Sequence, residues 1–387
     1  MRQAFLFVFR TLAIVAFSFF AQGTAFAQSL SISGKVIDEQ KLPMPSATVF
    51  LGGTKKITAT DVDGKFSFRG LSPGSYIITV KMVGYTPYFQ NVTIKESMTD
   101  IVIEMEPNAT ALREVKISAD DKEWRNKYAL FKQSFLGTTK NGRKCKIINP
   151  TVLRLWYENG RNQLKGSSDD FLIIENPELG YRVKYLIKKF EYDHRMVTTN
   201  YDGETSFEDM DGTPEQKAKW QQNRRDAYYG SPMHFFRAVY AGKLSPINEG
   251  FLVRGIMEPY ALANNEMIQR MRPPVIIDPH PVKLDTIVTV LDSGFVALKF
   301  QRDMFIRFNK NGGPLKMLKI AESGNNGEVS FDTEASIMQL SGGEVIIDSR
   351  GKVAGDMSLL IVGKWGYLRI GDLLPFEYRP DPQGNSR

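Results

Sequence analysis

The densest run of side chains suited to binding lies between Trp220 and Arg237. Trp220, Tyr228, Tyr229, His234, Phe235 and Phe236 alternate there with Arg224, Arg225 and Arg237. Guanidinium groups beside aromatic rings suit anionic or carbohydrate ligands, through bidentate hydrogen bonds and stacking. The same composition also describes two helices that anchor aromatic faces on a sheet and expose their arginines. Both readings stay open, and Trp220, Arg224, Arg225, Tyr228, Tyr229, His234 and Arg237 are the candidate ligand-binding residues.

Residue patterns for catalysis are missing where they would be expected. The chain holds three histidines, His194, His234 and His280, and none has a Glu or His shortly downstream. A zinc hydrolase site needs such a spaced ligand set plus a base, so no metal or cofactor is expected. No G-x-S-x-G pentapeptide, phosphate loop or dinucleotide fingerprint occurs. Cys145 is the single cysteine, which rules out an intrachain disulfide. Arg143, Lys144 and Lys146 around it would favour a reactive thiolate, or they mark the wet face of a strand whose thiol is buried; the buried reading is preferred. Asp61-x-Asp63-Gly64 opens like a calcium loop, but Lys65 to Pro73 lacks the later acidic ligand, so a hairpin turn is expected. Adjacent carboxylates at Asp169-Asp170 and Glu208-Asp209 diverge in an extended chain.

Helices and strands must position these groups. Thr213-Pro214-Glu215-Gln216 is a capping box, opening a helix that carries Trp220, Arg224, Ala227 and Tyr228. Ser231-Pro232 restarts a helix through Met233 to Tyr240, ending at Gly242. Trp124, Tyr128, Phe131 and Phe135 form one helical stripe with Gly137 as its stop. Elsewhere the pattern is strand-like: Tyr181 to Ile187, Phe295 to Phe300, Met304 to Phe308, Val329 to Phe331 and Val345 to Ile347. Turn signals at Asn149-Pro150, Asn176-Pro177, Asn311-Gly312-Gly313, Gly324 to Gly327 and Arg350-Gly351 separate them. Residues 121–387 therefore read as an α+β domain with one large, curved antiparallel sheet and a few helices.

Residues 28–106 follow a different rhythm. Apolar residues alternate in short runs at Ile32–Val36, Ala47–Leu51, Phe66–Phe68, Tyr76–Val80, Val92–Ile94 and Ile101–Met105. Asp63-Gly64 reads as the hairpin turn between Thr58–Thr60 and Lys65–Phe68, Pro73-Gly74 as a type II turn with a left-handed Gly74, and Pro43 and Pro45 as an extended crossover. Such punctuation predicts an all-β sandwich.

Ser33-Gly34-Lys35-Val36-Ile37-Asp38, Pro43-Met44-Pro45-Ser46-Ala47-Thr48-Val49, the run Thr60 to Phe68, Gly74 to Val80 and Gly84-Tyr85 stand in order. They resemble the carboxypeptidase-like regulatory domain, a transthyretin-like fold, over about a fifth of the chain. That module is joined to metallocarboxypeptidases and to TonB-dependent outer-membrane receptors alike, so the resemblance implies fold and export and carries no activity. Leu112 to Ile117 is similar to the segment after the module in those receptors, but the chain is too short for their barrel and shows no plug signature. Asn176 to Tyr181, Arg225 to Ser231, His234 to Ala238 and Gly366 to Pro375 resemble elements of exported Bacteroidota proteins that carry the module.

The N-terminus agrees with export. Arg2 and Arg10 flank Phe5 to Phe9, Thr11 to Ala21 carry no charge, and Ala25-Phe26-Ala27 predicts cleavage between Ala27 and Gln28. An uncleaved anchor is the other reading, opposed by Arg10 at mid-span. No cysteine at the cut offers a lipid attachment. The expected plan is a signal peptide at 1–27, the sandwich at 28–106, a linker at 107–120 and the α+β domain at 121–387. Net charge is +7 for the whole chain. This mild basicity fits peripheral contact with anionic membrane surfaces and does not suggest nucleic acid. The leading expectation is a non-catalytic protein of the periplasm or outer membrane that binds an envelope protein or an anionic or carbohydrate ligand. A carrier with an apolar cavity for a lipid or other hydrophobic ligand is the second, and a hydrolase built from Cys145, a histidine and a carboxylate is the third.

Overall fold

The computed structural model describes residues 29–108 and 122–381, apart from 159, 161, 169, 246, 258–274, 293, 310–327, 330–333 and 355–358. The cleavage point at Ala27 and Gln28, most of the 107–120 linker, and the turn signals at 311–313 and 324–327 lie outside the described residues.

Alternation becomes seven strands: β1 (Leu30–Ile37), β2 (Thr48–Leu51), β3 (Ile57–Ala59), β4 (Lys65–Leu71), β5 (Gly74–Lys81), β6 (Tyr88–Ile94) and β7 (Met98–Glu104). They form two sheets, β4-β1-β7 and β3-β2-β5-β6. Ile32, Val36, Val49, Leu51, Phe66, Phe68, Ile78, Val80 and Ile103 make the core between them. Central β1 runs antiparallel to β4 and parallel to β7. A Cβ at Gly34 would sit 2.1 Å from the Ile101 carbonyl oxygen, so only glycine lets these strands approach.

Two turn assignments are corrected. Asp63-Gly64 does not close a hairpin, because β3 pairs with β2 whereas β4 pairs with β1. The chain crosses between sheets here, since Val49 and Phe66 can face each other only from opposite layers. The Asp61 carboxylate shapes the crossing by accepting the Asp63 and Lys65 N–H groups at 3.0 and 2.8 Å. Gly74 is not the left-handed residue either: it starts β5 opposite Ile94, and the positive φ (71°) belongs to Gly70. A Cβ at Gly74 would meet the Asp348 carboxylate at 2.7 Å, so its glycine serves close approach instead.

The described part of the remainder contains four helices, α1 (Lys122–Leu136), α2 (Lys140–Lys144), α3 (Pro214–Tyr228) and α4 (Pro232–Tyr240). The Thr213 hydroxyl accepts the Gln216 N–H and the Gln216 side chain returns the bond, which fixes the start of α3. Ser231 caps α4 by accepting the His234 N–H. Among the described residues, no helix is long and apolar enough to cross a membrane.

The α+β, antiparallel character expected here is found, but among the described residues the strands divide into three sheets instead of forming one large one. The first comprises β8 (Lys146–Ile147), β9 (Leu153–Glu158), β10 (Gln163–Ser168), β11 (Leu172–Asn176), β12 (Tyr181–Asp193) and β13 (Thr198–Asp209), in the order β8-β11-β12-β10-β9 with β13 also on β12. The other two draw on β14 (Phe251–Ile256), β15 (Val275–Pro281), β16 (Val288–Asp292), β17 (Phe295–Leu298), β18 (Met304–Phe308), β19 (Glu328–Val329), β20 (Ala335–Leu340), β21 (Val345–Asp348), β22 (Val353–Ala354) and β23 (Leu359–Gly363). Their orders are β19-β15-β14-β18-β20-β23 and β16-β17-β21-β22. The reason is coverage. Phe131 and Phe135 of α1 cover Tyr185 and Phe190 of the first sheet, while Phe251, Met304 and Met338 of the second face Leu298 and Ile347 of the third, with Phe235 of α4 closing that core. One continuous sheet would leave one of these apolar faces wet.

The sandwich is clasped to this body. Its Gly52–Lys55 loop lies between β13 and the C-terminal segment: Gly53 N–H donates to Thr205 O (2.8 Å), Phe207 N–H to Thr54 O (2.9 Å) and Phe376 N–H to Gly53 O (2.9 Å). Beside it, Asp348 and Arg350 are 1% and 5% exposed. The Arg350 Nη2 donates to Asp348 Oδ2 at 2.5 Å and to Ser75 O at 2.6 Å, and the Ser75 N–H donates to Asp348 Oδ2 at 3.2 Å. The guanidinium carbon lies 3.7 Å from the centre of the Tyr76 ring. Replacing Arg350 by Met strands a buried carboxylate, so guanidinium chloride denaturation is expected to show a loss of about 3–5 kcal/mol. The Asp348→Asn/Arg350→Met double variant should recover part of it.

Candidate functional site

The seven candidate residues separate into an inner and an outer group. Trp220 is buried and its indole N–H donates to Pro177 O at 2.8 Å. Arg237 is buried and gives its hydrogen bonds to main-chain carbonyls: Nε to Arg350 (2.8 Å), Nη1 to Tyr378 (2.9 Å) and Nη2 to Phe376 (3.1 Å). Tyr228 packs beside it, with the Arg237 guanidinium 5.3 Å from its ring centre. The His234 Nδ1 accepts the Gly230 N–H at 3.1 Å, which places its proton on Nε2, 3.1 Å from Glu249. Burial lowers the imidazole below its ordinary value, with Glu249 pulling the other way.

Arg224 belongs to both groups. Its Nε donates to Leu179 O (2.6 Å) and its Nη2 to Gly180 O (3.0 Å) and Asp209 (3.0 Å), while its guanidinium lies flat on Tyr181 at 3.7 Å. Its outer edge, with half-buried Arg225, lines a recess of about 240 Å³ together with Lys55, Tyr181, Tyr378 and Arg379. Tyr229 faces a separate recess of similar size beside Asn223, Asp226 and Lys364. The structure thus brings Arg224 and Arg225 together, uses Trp220, Tyr228, His234 and Arg237 in the interior, and sets Tyr229 apart.

Four segments meet at the first recess: the sandwich loop with Lys55, the start of β12 with Tyr181, helix α3 with Arg224 and Arg225, and the C-terminal segment with Tyr378 and Arg379. Asp209 sits behind them. Burial would raise its carboxyl, but hydrogen bonds from Lys55 (2.5 Å) and Arg224 outweigh this and hold it below the usual range. Burial pushes the Tyr378 hydroxyl up to about 12 against the pull of Arg225, so it stays a hydrogen-bond donor at neutral pH. Arg225 donates to Gln222 at 2.7 Å and Arg379 to Phe376 O and Tyr378 O at 3.3 and 3.1 Å. Four cations against Asp209, Glu377 and Asp381 leave the recess net positive. Lys55, Tyr181, Tyr378 and Arg379 were not among the sequence candidates. Tyr378-Arg379 repeats in miniature the aromatic–guanidinium pairing of α3, and that is the one signal that pointed to it.

Cys145 is buried, as preferred from the sequence. Burial pushes the thiol up to about 12, Asp372 adds to the effect and Lys132 opposes it. The basic residues around it in sequence, Arg143 and Lys144 at the end of α2 and Lys146 in β8, are exposed to solvent, whereas the thiol at the C-cap is buried. Among the described residues, no group of three or more His, Cys, Asp or Glu is placed to hold a metal ion.

Residues 32–117 match the model of the CarboxypepD_reg-like domain, a non-catalytic domain type. Over 94 residues the chain is 33% identical to a TonB-dependent receptor of Formosa agariphila, an alignment that covers 24% of this chain and 9% of that receptor. Similar solved structures include a cohesin–X-dockerin complex from Acetivibrio cellulolyticus (21% identity, 20% of this chain and 58% of that one, TM-score 0.19). A minor pilin of Streptococcus agalactiae gives 20% identity over 21% of this chain and 46% of its own, with a TM-score of 0.19.

Buried Glu204 and half-buried Lys352 flank the clasp. Burial, then Arg350, pushes the Lys352 ammonium down to about 8, and Glu204 and Asp348 oppose this. Burial raises the Glu204 carboxyl against Lys188 and Lys352. Between pH 8 and the ordinary lysine value of 10.5, the unfolded chain keeps a proton that the folded chain has shed, so stability gained from Lys352 rises with pH across that window and is lost as pH falls through 8. Lys352→Met should flatten this rise in chemical-denaturation midpoints measured from pH 7.5 to 10.5. Cys145 should stay unmodified by N-ethylmaleimide at pH 8 in the native chain and react fully once it is unfolded.

Proposed function

We propose that this chain is a non-catalytic protein of the bacterial envelope that binds an acidic carbohydrate in the Lys55–Arg225–Arg379 recess. The observation that carries the reading is the convergence of Lys55, Arg224, Arg225 and Arg379 with Tyr181 and Tyr378, from four segments separated in sequence. Guanidinium groups offer paired donors to a carboxylate, and the half-buried Tyr378 ring offers apolar surface to a sugar face, while the buried Tyr181 ring supports Arg224 and Lys55 from below. The buried Asp348–Arg350 pair is engaged in joining the sandwich to the body, which is the work of a scaffold and not of acid–base turnover. Export is supported by the charged, apolar and small-residue order of the N-terminal sequence, and envelope location by the likeness of the first domain to part of a TonB-dependent receptor.

Calorimetric titration with trigalacturonate and with neutral galactotriose tests the reading. The acidic sugar should bind and the neutral one should not. Arg225→Glu removes a charge-assisted donor worth roughly 1.5–3 kcal/mol and should weaken binding at least about tenfold. Equal binding of both sugars, an unchanged Arg225→Glu variant, or recovery of tagged protein from the cytoplasm would each overturn it.

A further inference from the structure

A larger cavity lies elsewhere, where the chain passes from β15 to β16 and from β17 to β18, at the mouth between the second and third sheets. It encloses about 610 Å³, within the roughly 300–1,000 Å³ typical of sites for small organic ligands. Val282, Ile287, Phe300 and Met304 form its floor, and all four belong to the apolar core between these sheets. Lys283, Lys299 and Arg302 stand at its rim.

The backbone holds this mouth open. Val282 N–H donates to Val253 O at 3.3 Å and Lys299 N–H to Ile287 O at 2.8 Å, so the segment carrying Lys283 is fixed at both ends. Gly255, at a register shift between β14 and β15, lines the cavity. A Cβ added there would meet nothing closer than 3.9 Å, and its φ lies outside the left-handed region. The space beside Gly255 is therefore room that a side chain would fill without strain.

The charge around the cavity is net positive. Asp278 is the carboxylate lining the cavity, and it is already engaged: it accepts the His280 N–H at 2.9 Å, lies 3.0 Å from His280 Nδ1 and 3.7 Å from Arg302. Lys283 and Lys299 are exposed and carry no ion pair among the described residues. An apolar floor below two uncommitted ammonium groups matches a molecule with a hydrocarbon tail and an anionic head.

We infer that this cavity binds a single-chain anionic amphiphile, its tail on Val282, Ile287 and the edge of Phe300 and its acid head between Lys283 and Lys299. The site is independent of the recess assigned to acidic sugar. Dodecanoate below its micellar concentration is the probe, titrated calorimetrically against the full chain beside neutral dodecyl maltoside and acetate. One dodecanoate per chain is expected, with acetate not bound and dodecyl maltoside at least about tenfold weaker. Gly255→Phe should abolish binding by filling the cavity. Lys283→Glu/Lys299→Glu, at exposed positions, should weaken it at least about tenfold with an unchanged melting temperature, and Arg225→Glu should leave it intact. Equal affinity for the neutral amphiphile, binding of acetate at the same strength, or a folded lysine double variant that still binds dodecanoate as before would overturn the assignment.

Discussion

Asp348 and Arg350 stand two residues apart at the end of β21, and both are withdrawn from water. A buried ion pair recovers its desolvation cost only when the remaining donors and acceptors are also satisfied. Here the main-chain N–H and C=O of Ser75, at the start of β5 in the sandwich, complete the set. Neither partner has an adequate environment unless the sandwich is seated. The seating in turn brings Lys55 over Tyr181 and next to Asp209, so the cationic recess is a product of the clasp and not of either part alone.

Arginine does the joining throughout. Arg224 ties α3 to the β11–β12 turn, Arg237 ties α4 to the C-terminal segment and to Arg350, and Arg350 ties β21 to the sandwich. A planar fork with fixed donors suits carbonyl groups that a chain leaves unpaired where segments cross. The abundance of arginine beside aromatic rings between Trp220 and Arg237 thus has two causes at once. Arg237 and much of Arg224 hold the fold, and Arg225 faces the recess.

How much of this could be read beforehand follows from how local each cause is. The sandwich core was legible because period-two burial is a property of neighbouring residues, and the α1 stripe because Phe131 and Phe135 lie one turn apart on a single face. The caps of α3 and α4 were legible for the same reason. Which strand pairs with which was not, since a turn such as Asp63-Gly64 looks alike whether it joins partners or opposite layers. Strand β13 was overlooked because Thr198 to Asp209 is mostly polar; its Glu204, Thr205 and Ser206 are buried not in a hydrophobic core but under the sandwich loop. The recess was half legible: Arg224 and Arg225 announced themselves, whereas Lys55 and Arg379 reach them only through contacts spanning most of the chain.

The Gly52–Lys55 loop is gripped on one side by Thr205 and Phe207 and on the other by Phe376. A mechanical load that drew the sandwich away from the body would strain these bonds and the Ser75 contacts simultaneously, so rupture would require one large, concerted event with a high barrier. The seam therefore couples the two parts through main-chain bonds on both sides of one loop.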